Sequence, residues 1–153
     1  DCSVDSINAN SGSLAVGIIG FALISGCSVN VVDNGGGGGS NGMTVVTGGA
    51  AMNCSVVGGA GTGIRCSGLA RVVGCQVADA TTGIDCGAGS LVDGNNVIGA
   101  TTGIKTTGTA LVTRNHVTSS TTPYNVAVAG QPGPIVSATG TIASTNPWAN
   151  FQG

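Results

Sequence analysis

Residues 74–93 read GCQVADATTGIDCGAGSLVD, residues 94–113 read GNNVIGATTGIKTTGTALVT, and RNHV follows at 114–117. A step of twenty residues keeps returning the same kind of side chain: Val77, Val97 and Val117; Ile64, Ile84 and Ile104; Val72, Val92 and Val112; Gly63, Gly83 and Gly103. A fixed period of short apolar runs between Gly, Thr and Asn turns marks a repeat architecture. The period is too short for a helix–turn–helix unit, and β-branched residues stand where helix formers would be needed. The pattern predicts an all-β chain, a parallel β-solenoid with one lap per period.

A second anchor extends the laps toward residue 1, where the twenty-residue period fails. Cys2-Ser3-Val4, Cys27-Ser28-Val29, Cys54-Ser55-Val56 and Cys75-Gln76-Val77 are alike, and they continue as Asn95-Asn96-Val97 and Asn115-His116-Val117. These anchors predict five to six coils over residues 1–126, with a capping or inter-subunit tail over 127–153. The longer early steps place two long corner loops, at 5–14 and 31–43, side by side on one edge. The second holds five consecutive glycines, Gly35 to Gly39. That run reads as a flexible, tolerated surface insertion in preference to a binding loop. It is no phosphate loop, because neither Lys-Ser/Thr nor a helix follows.

Strand alternation assigns faces. Ile84, Cys86, Ile104 and Thr106 point inward, while Arg65, Asp85 and Lys105 form an outward column of alternating charge. Asn95 and Asn115 stack at a corner, where each amide can donate to one lap and accept from the other. The same corner carries Cys2, Cys27, Cys54 and Cys75, and a second column holds Cys66 and Cys86. Two readings of these thiols compete, buried apolar fillers or neighbouring disulfides such as Cys66–Cys86. In-register strands hold Cβ atoms farther apart than a disulfide wants, which favours free thiols. Zinc fits poorly, with no CxxC spacing and His116 as the single histidine.

Composition narrows the function classes. Only 7% of the residues are charged, against about a quarter in ordinary domains, so the surface must be rich in Ser, Thr, Asn and Gly. Four Lys/Arg make no basic patch, which argues against nucleic acid. The richest apolar stretch, residues 14–24, is interrupted by glycine and too short to insert into a membrane. Six cysteines, a hydroxyl-rich surface and a first residue other than Met suit an extracellular or cell-surface product.

The run 83–97, then Thr121-Thr122-Pro123-Tyr124-Asn125-Val126, Gly133-Pro134-Ile135-Val136 and Asn146-Pro147-Trp148-Ala149-Asn150-Phe151, resembles the C-terminal part of bacterial right-handed parallel β-helix repeat proteins. These are pectate-lyase-like in fold, largely secreted and mostly without an assigned activity. The resemblance implies the fold and a right-handed, single-stranded coil. It implies little chemistry, since one fold hosts many functions.

Lyases of similar fold cluster aspartates for calcium, with an arginine base nearby. Here Asp79, Asp85 and Asp93 fall at different points of the lap, and Arg65, Arg71 and Arg114 have no carboxylate cluster beside them. His116 heads an outward column, Gln76, Asn96, His116, without a nucleophile or acid in register. No catalytic constellation, metal site or cofactor site is expected, and the chain reads as no enzyme. Past Val117 the pattern dissolves into a tail with Ile135, Val136, Ile142, Trp148 and Phe151. Together with an uncapped first lap, this tail suggests a structural subunit stacking head to tail with copies of itself. The alternatives are a carbohydrate-binding or adhesive module with glycan partners and a non-catalytic fragment of a lyase-like protein.

Overall fold

A computed structural model describes residues 3–9, 16–20, 22–33, 40–58, 61–127, 131–137 and 144–153. Every described element is a strand, and every pair of neighbouring strands is parallel. The strands stack into three sheets. In order along the stack, sheet A holds β1 (Ser3–Ala9), β4 (Ser28–Asp33), β7 (Ser55–Val57), β10 (Gln76–Ala78), β13 (Asn96–Ile98), β16 (His116–Thr118), β20 (Asn150–Gln152) and β19 (Ile135–Ser137). Sheet B holds β2 (Val16–Gly20), β5 (Asn41–Val45), β8 (Thr62–Cys66), β11 (Thr82–Cys86), β14 (Thr102–Thr106) and β17 (Thr122–Val126). Sheet C holds β3 (Leu23–Ser25), β6 (Ala50–Met52), β9 (Arg71–Val73), β12 (Ser90–Asp93), β15 (Ala110–Thr113) and β18 (Gln131–Pro132). One strand from each sheet makes a lap, and the chain is a parallel β-solenoid.

Each repeat of the sequence is a column of the structure. Val77 pairs with Val97 and Val97 with Val117; Ile64 with Ile84 and Ile84 with Ile104; Val72 with Val92 and Val92 with Val112. All these side chains are buried, so three β-branched columns meet along the axis and form one continuous core. The glycine column follows from that meeting. A Cβ on Gly83 would lie 2.4 Å from Val97 Cγ1 and 2.6 Å from the Gly103 carbonyl oxygen. The narrow end of the core has room for backbone only.

The early laps differ from the expectation of two loops. β1 and β4 continue as strands into positions 5–9 and 31–33 and pair with each other there, Ile7 with Val31 and Ala9 with Asp33, after a register shift at Asp5. β5 likewise begins at Asn41. The extra length is thus partly spent on longer strands, since two adjacent laps that both carry surplus residues can satisfy each other's backbone. Residues 10–15 and 34–39, with the glycine run, lie outside the described residues.

The far end is closed by the tail. Tyr124 occupies the sheet B column directly after Ile104, and its hydroxyl lies 3.0 Å from the Asn115 carbonyl and 2.9 Å from that of Phe151. In sheet A, β20 enters between β16 and β19, although β19 precedes it in sequence. The inward valine column then ends in polar side chains, with Gln152 in register with Val117, Ser137 beside it, and the Gln152 amide donating to the Ser137 hydroxyl.

Candidate functional site

The corner between sheets C and A is the most ordered polar feature of the molecule. Asn95 Nδ2 donates to the Val72 carbonyl at 3.0 Å and to Asn115 Oδ1 at 2.9 Å, while Asn115 Oδ1 also accepts from the Asn95 backbone N–H. Asn115 repeats the pattern with Val92 and with Asn150 Oδ1. Asn150 Nδ2 finishes the ladder on the Val112 and Gly133 carbonyls. All three amides are buried and satisfied. Asn150 is the member that sequence reasoning missed. Asn150-Phe151-Gln152 stands in register with Asn115-His116-Val117, but 35 residues on instead of 20. This corner is structural: its polar atoms are engaged along the axis.

Below Asn95 the ladder changes from amides to thiols. Cys75 N–H donates to Asn95 Oδ1 at 2.9 Å, and the Cys54 and Cys75 thiols reach backbone carbonyls of the lap below, Ile24 and Ala51. Burial pushes the Cys75 thiol up to about 12. In the second column the hydrogen bond shared with Cys66, then burial, pushes Cys86 well above the usual thiol range. Cys27, Cys54, Cys66, Cys75 and Cys86 are free thiols, and Cys2 lies outside the described residues. The raised values disfavour the thiolate at Cys75 and Cys86, which suits them poorly to nucleophilic or metal-binding work.

The aspartates stay apart. Asp85 lies on sheet B in the outward charge column, with Arg65 and Lys105 in register on either side and Lys105 Nζ at 3.7 Å. Asp79 sits in a turn with positive φ of 56°. Asp93 lies on sheet C. No group of three or more His, Cys, Asp or Glu converges among the described residues. His116 is exposed, in register with Asn96 and Phe151.

Asp93 has a partner that spacing alone did not suggest. Arg114, one lap on, grips it with Nε and Nη2, and the Thr113 hydroxyl adds a bond of 2.9 Å. The Arg114 hydrogen bond, opposed by burial and helped by Thr113, holds the Asp93 carboxyl below the usual carboxylate range. The guanidinium in turn lies over the Trp148 ring, 5.5 Å from its centroid. This chain of contacts, Asp93 to Arg114 to Trp148, fixes the indole at the rim of sheet C.

Large apolar side chains are exposed on every sheet, Ile19 on sheet B and Val57, Ile98 and Ile135 on sheet A. A set that includes the tryptophan is on the outer face of sheet C and its adjoining turns. Leu23, Leu69, Leu111 and Trp148 lie there, 60%, 66%, 46% and 54% exposed. Leu91 and Leu111 follow Arg71 in one outward column. A shallow trough of about 520 Å³ runs over Leu69, Arg71, Leu91 and Leu111. It meets at Leu111 a second hollow of about 380 Å³, walled by Pro132, Pro134, Asn146 and Trp148. Of the tail residues, Ile135 is exposed, Val136 and Phe151 pair side by side in sheet A, and Ile142 lies outside the described residues. The leucine column was visible as the i+20 series Arg71, Leu91, Leu111, but its outward direction marks it as more than core.

A scan against protein-family models and searches of curated proteins and solved structures found no match.

Proposed function

We propose that this chain is a non-catalytic adhesive module of the extracellular space, a rigid solenoid that holds a partner through the outer face of sheet C. The observation that carries the reading is the apolar set at sheet C, where Leu23 and Leu111 on the strands and Leu69 and Trp148 in adjoining turns are exposed around two hollows that meet at Leu111. Contiguous exposed apolar patches on soluble proteins mark interaction sites. The in-register laps hold that patch in fixed geometry, and the Asp93–Arg114 grip orients its aromatic member. Among the described residues Asp79, Asp85 and Asp93 lie in a turn, on sheet B and on sheet C, and Cys54, Cys66, Cys75 and Cys86 are buried, an arrangement that favours a binding role.

Head-to-tail stacking of copies asks more of the same molecule. A neighbour docking on the tail end would meet β19 in sheet A and, in the other two sheets, β17 and β18. There Thr122 and Gly133 donate inward to the preceding lap, so Pro123 and Pro132 occupy the alternate, edge-facing positions and offer no N–H. Proline on an edge strand discourages further pairing. The two readings separate by experiment. Purified protein is passed over surfaces coated with polysaccharides, lipids or proteins, and negative-stain microscopy is run on the same sample. Adhesion predicts discrete particles and retention on at least one surface, weakened about tenfold by Leu111→Ser. Equal retention of the variant sinks the adhesive reading, and long fibres of uniform width reinstate stacking.

A further inference from the structure

Resting on the adhesive reading, we infer that the surface sheet C fits is an anionic lipid surface. The apolar part of the argument is the exposed set above, Leu23 and Leu111 on strands of one sheet with Leu69 and Trp148 in turns beside it, a breadth that suits a broad partner. The charge part is local. Arg71 is exposed in the outward column between Ala50 and Leu91 and has no ion pair among the described residues. Arg114 stands at the rim, over Trp148. The one described carboxylate on this side, Asp93, is buried and already held by Arg114. Asp79 and Asp85 lie in the turn after β10 and on sheet B, and Asp5 and Asp33 are positions of sheet A strands. A chain of net charge −2 therefore presents one apolar face on which Arg71 is an uncompensated cation, Arg114 being paired with Asp93.

That combination matches the boundary of a bilayer. Leucines enter the acyl edge, tryptophan sits at headgroup level, and an arginine keeps its head in the anionic layer while its stem lies on apolar surface. A second copy of this face fits poorly, because it would bring a second unpaired Arg71 and no free carboxylate. A soluble anion would satisfy Arg71 but leave Leu23 and Leu69 in water.

Trp148 is the only tryptophan and lies in the patch, so its fluorescence reports contact directly. The full chain is titrated with phosphatidylcholine vesicles, with vesicles containing phosphatidylglycerol, and with inorganic phosphate and glycerophosphate in solution, with flotation as a second readout. The expected result is a blue shift and flotation with the phosphatidylglycerol vesicles only, reduced by added salt. Arg71→Gln is expected to weaken partitioning about fivefold and Leu111→Ser about tenfold, both variants keeping the wild-type circular dichroism. Equal binding to neutral vesicles, or the same shift with soluble phosphates, overturns the lipid assignment. So does the absence of vesicle binding while retention on polysaccharide or protein still depends on Leu111, an outcome that leaves the adhesive reading standing. No retention on any surface removes both.

Discussion

Gly83 shows how little freedom single positions have here. Its missing Cβ is required by Val97 and by the Gly103 carbonyl, both fixed by their own columns, so the strain of Gly83→Ala has nowhere to relax. Overpacking of this kind costs about 1–3 kcal/mol, and urea unfolding should show a loss in that range with unchanged cooperativity. Asn115→Ala should cost more. It orphans the Asn95 backbone N–H in a dry corner, at about 1–3 kcal/mol, and also removes one bond each from the Asn95 amide, the Val92 carbonyl and the Asn150 amide oxygen, at about 0.5–1.5 kcal/mol apiece. Asp93 carries a pH dependence of definite sign. Its folded carboxyl is held below the ordinary value, so its stabilising contribution is complete above about pH 4 and is lost as the pH falls through the depressed folded value. Urea midpoints measured from neutral pH down to acid should fall less steeply in Asp93→Asn than in the parent chain. Half-exposed Arg114 keeps the effect modest.

At the level of strands, the capping end concentrates devices that the middle laps do not need. Tyr124 replaces isoleucine in the core column and spans to sheet A, so Tyr124→Phe, which keeps the ring and deletes the hydroxyl, should lower stability by about 0.5–1.5 kcal/mol. The thiol columns predict a reactivity pattern. Under native conditions at mildly alkaline pH, half-buried Cys27 should be alkylated well before Cys54, Cys66, Cys75 and Cys86, and denaturant should abolish the difference, as peptide mass mapping would show. The middle strands were legible because period and alternation both act locally: Ile84, Asp85 and Cys86 declare their faces within three residues. β20 was not legible, since its partner Asn115 is 35 positions away and the intervening chain first lays down β18 and β19. The strand portions of the early insertions were hidden for a related reason, as β1 and β4 stabilise each other and neither carries the signal alone.

For the whole molecule, the repeat explains why a chain with 3% aromatic residues has a continuous core. Small β-branched side chains fill a narrow cross-section when each sits on a copy of itself, and no bulky residue is needed until Tyr124 ends the column. The candidate site was less legible than the fold. Periodicity shows that Arg71, Leu91 and Leu111 share a column, but a leucine column reads as core until the lap is closed and the valines beside it are found to hold the inside. The Asp93–Arg114 pair was hidden by its step of 21, which crosses from one column to the next. The order of strands in sheet A bears also on how the molecule assembles during synthesis. When Ile135 to Ser137 leave the ribosome, the berth beside β16 is vacant, and they are the first segment able to take it. Occupying it would set Ile135 against Asn115, whose amide then has no carboxamide to answer it. Asn150 carries the matching group, so the run of side-chain amides is complete only with the last strand in that place and the earlier one outside it.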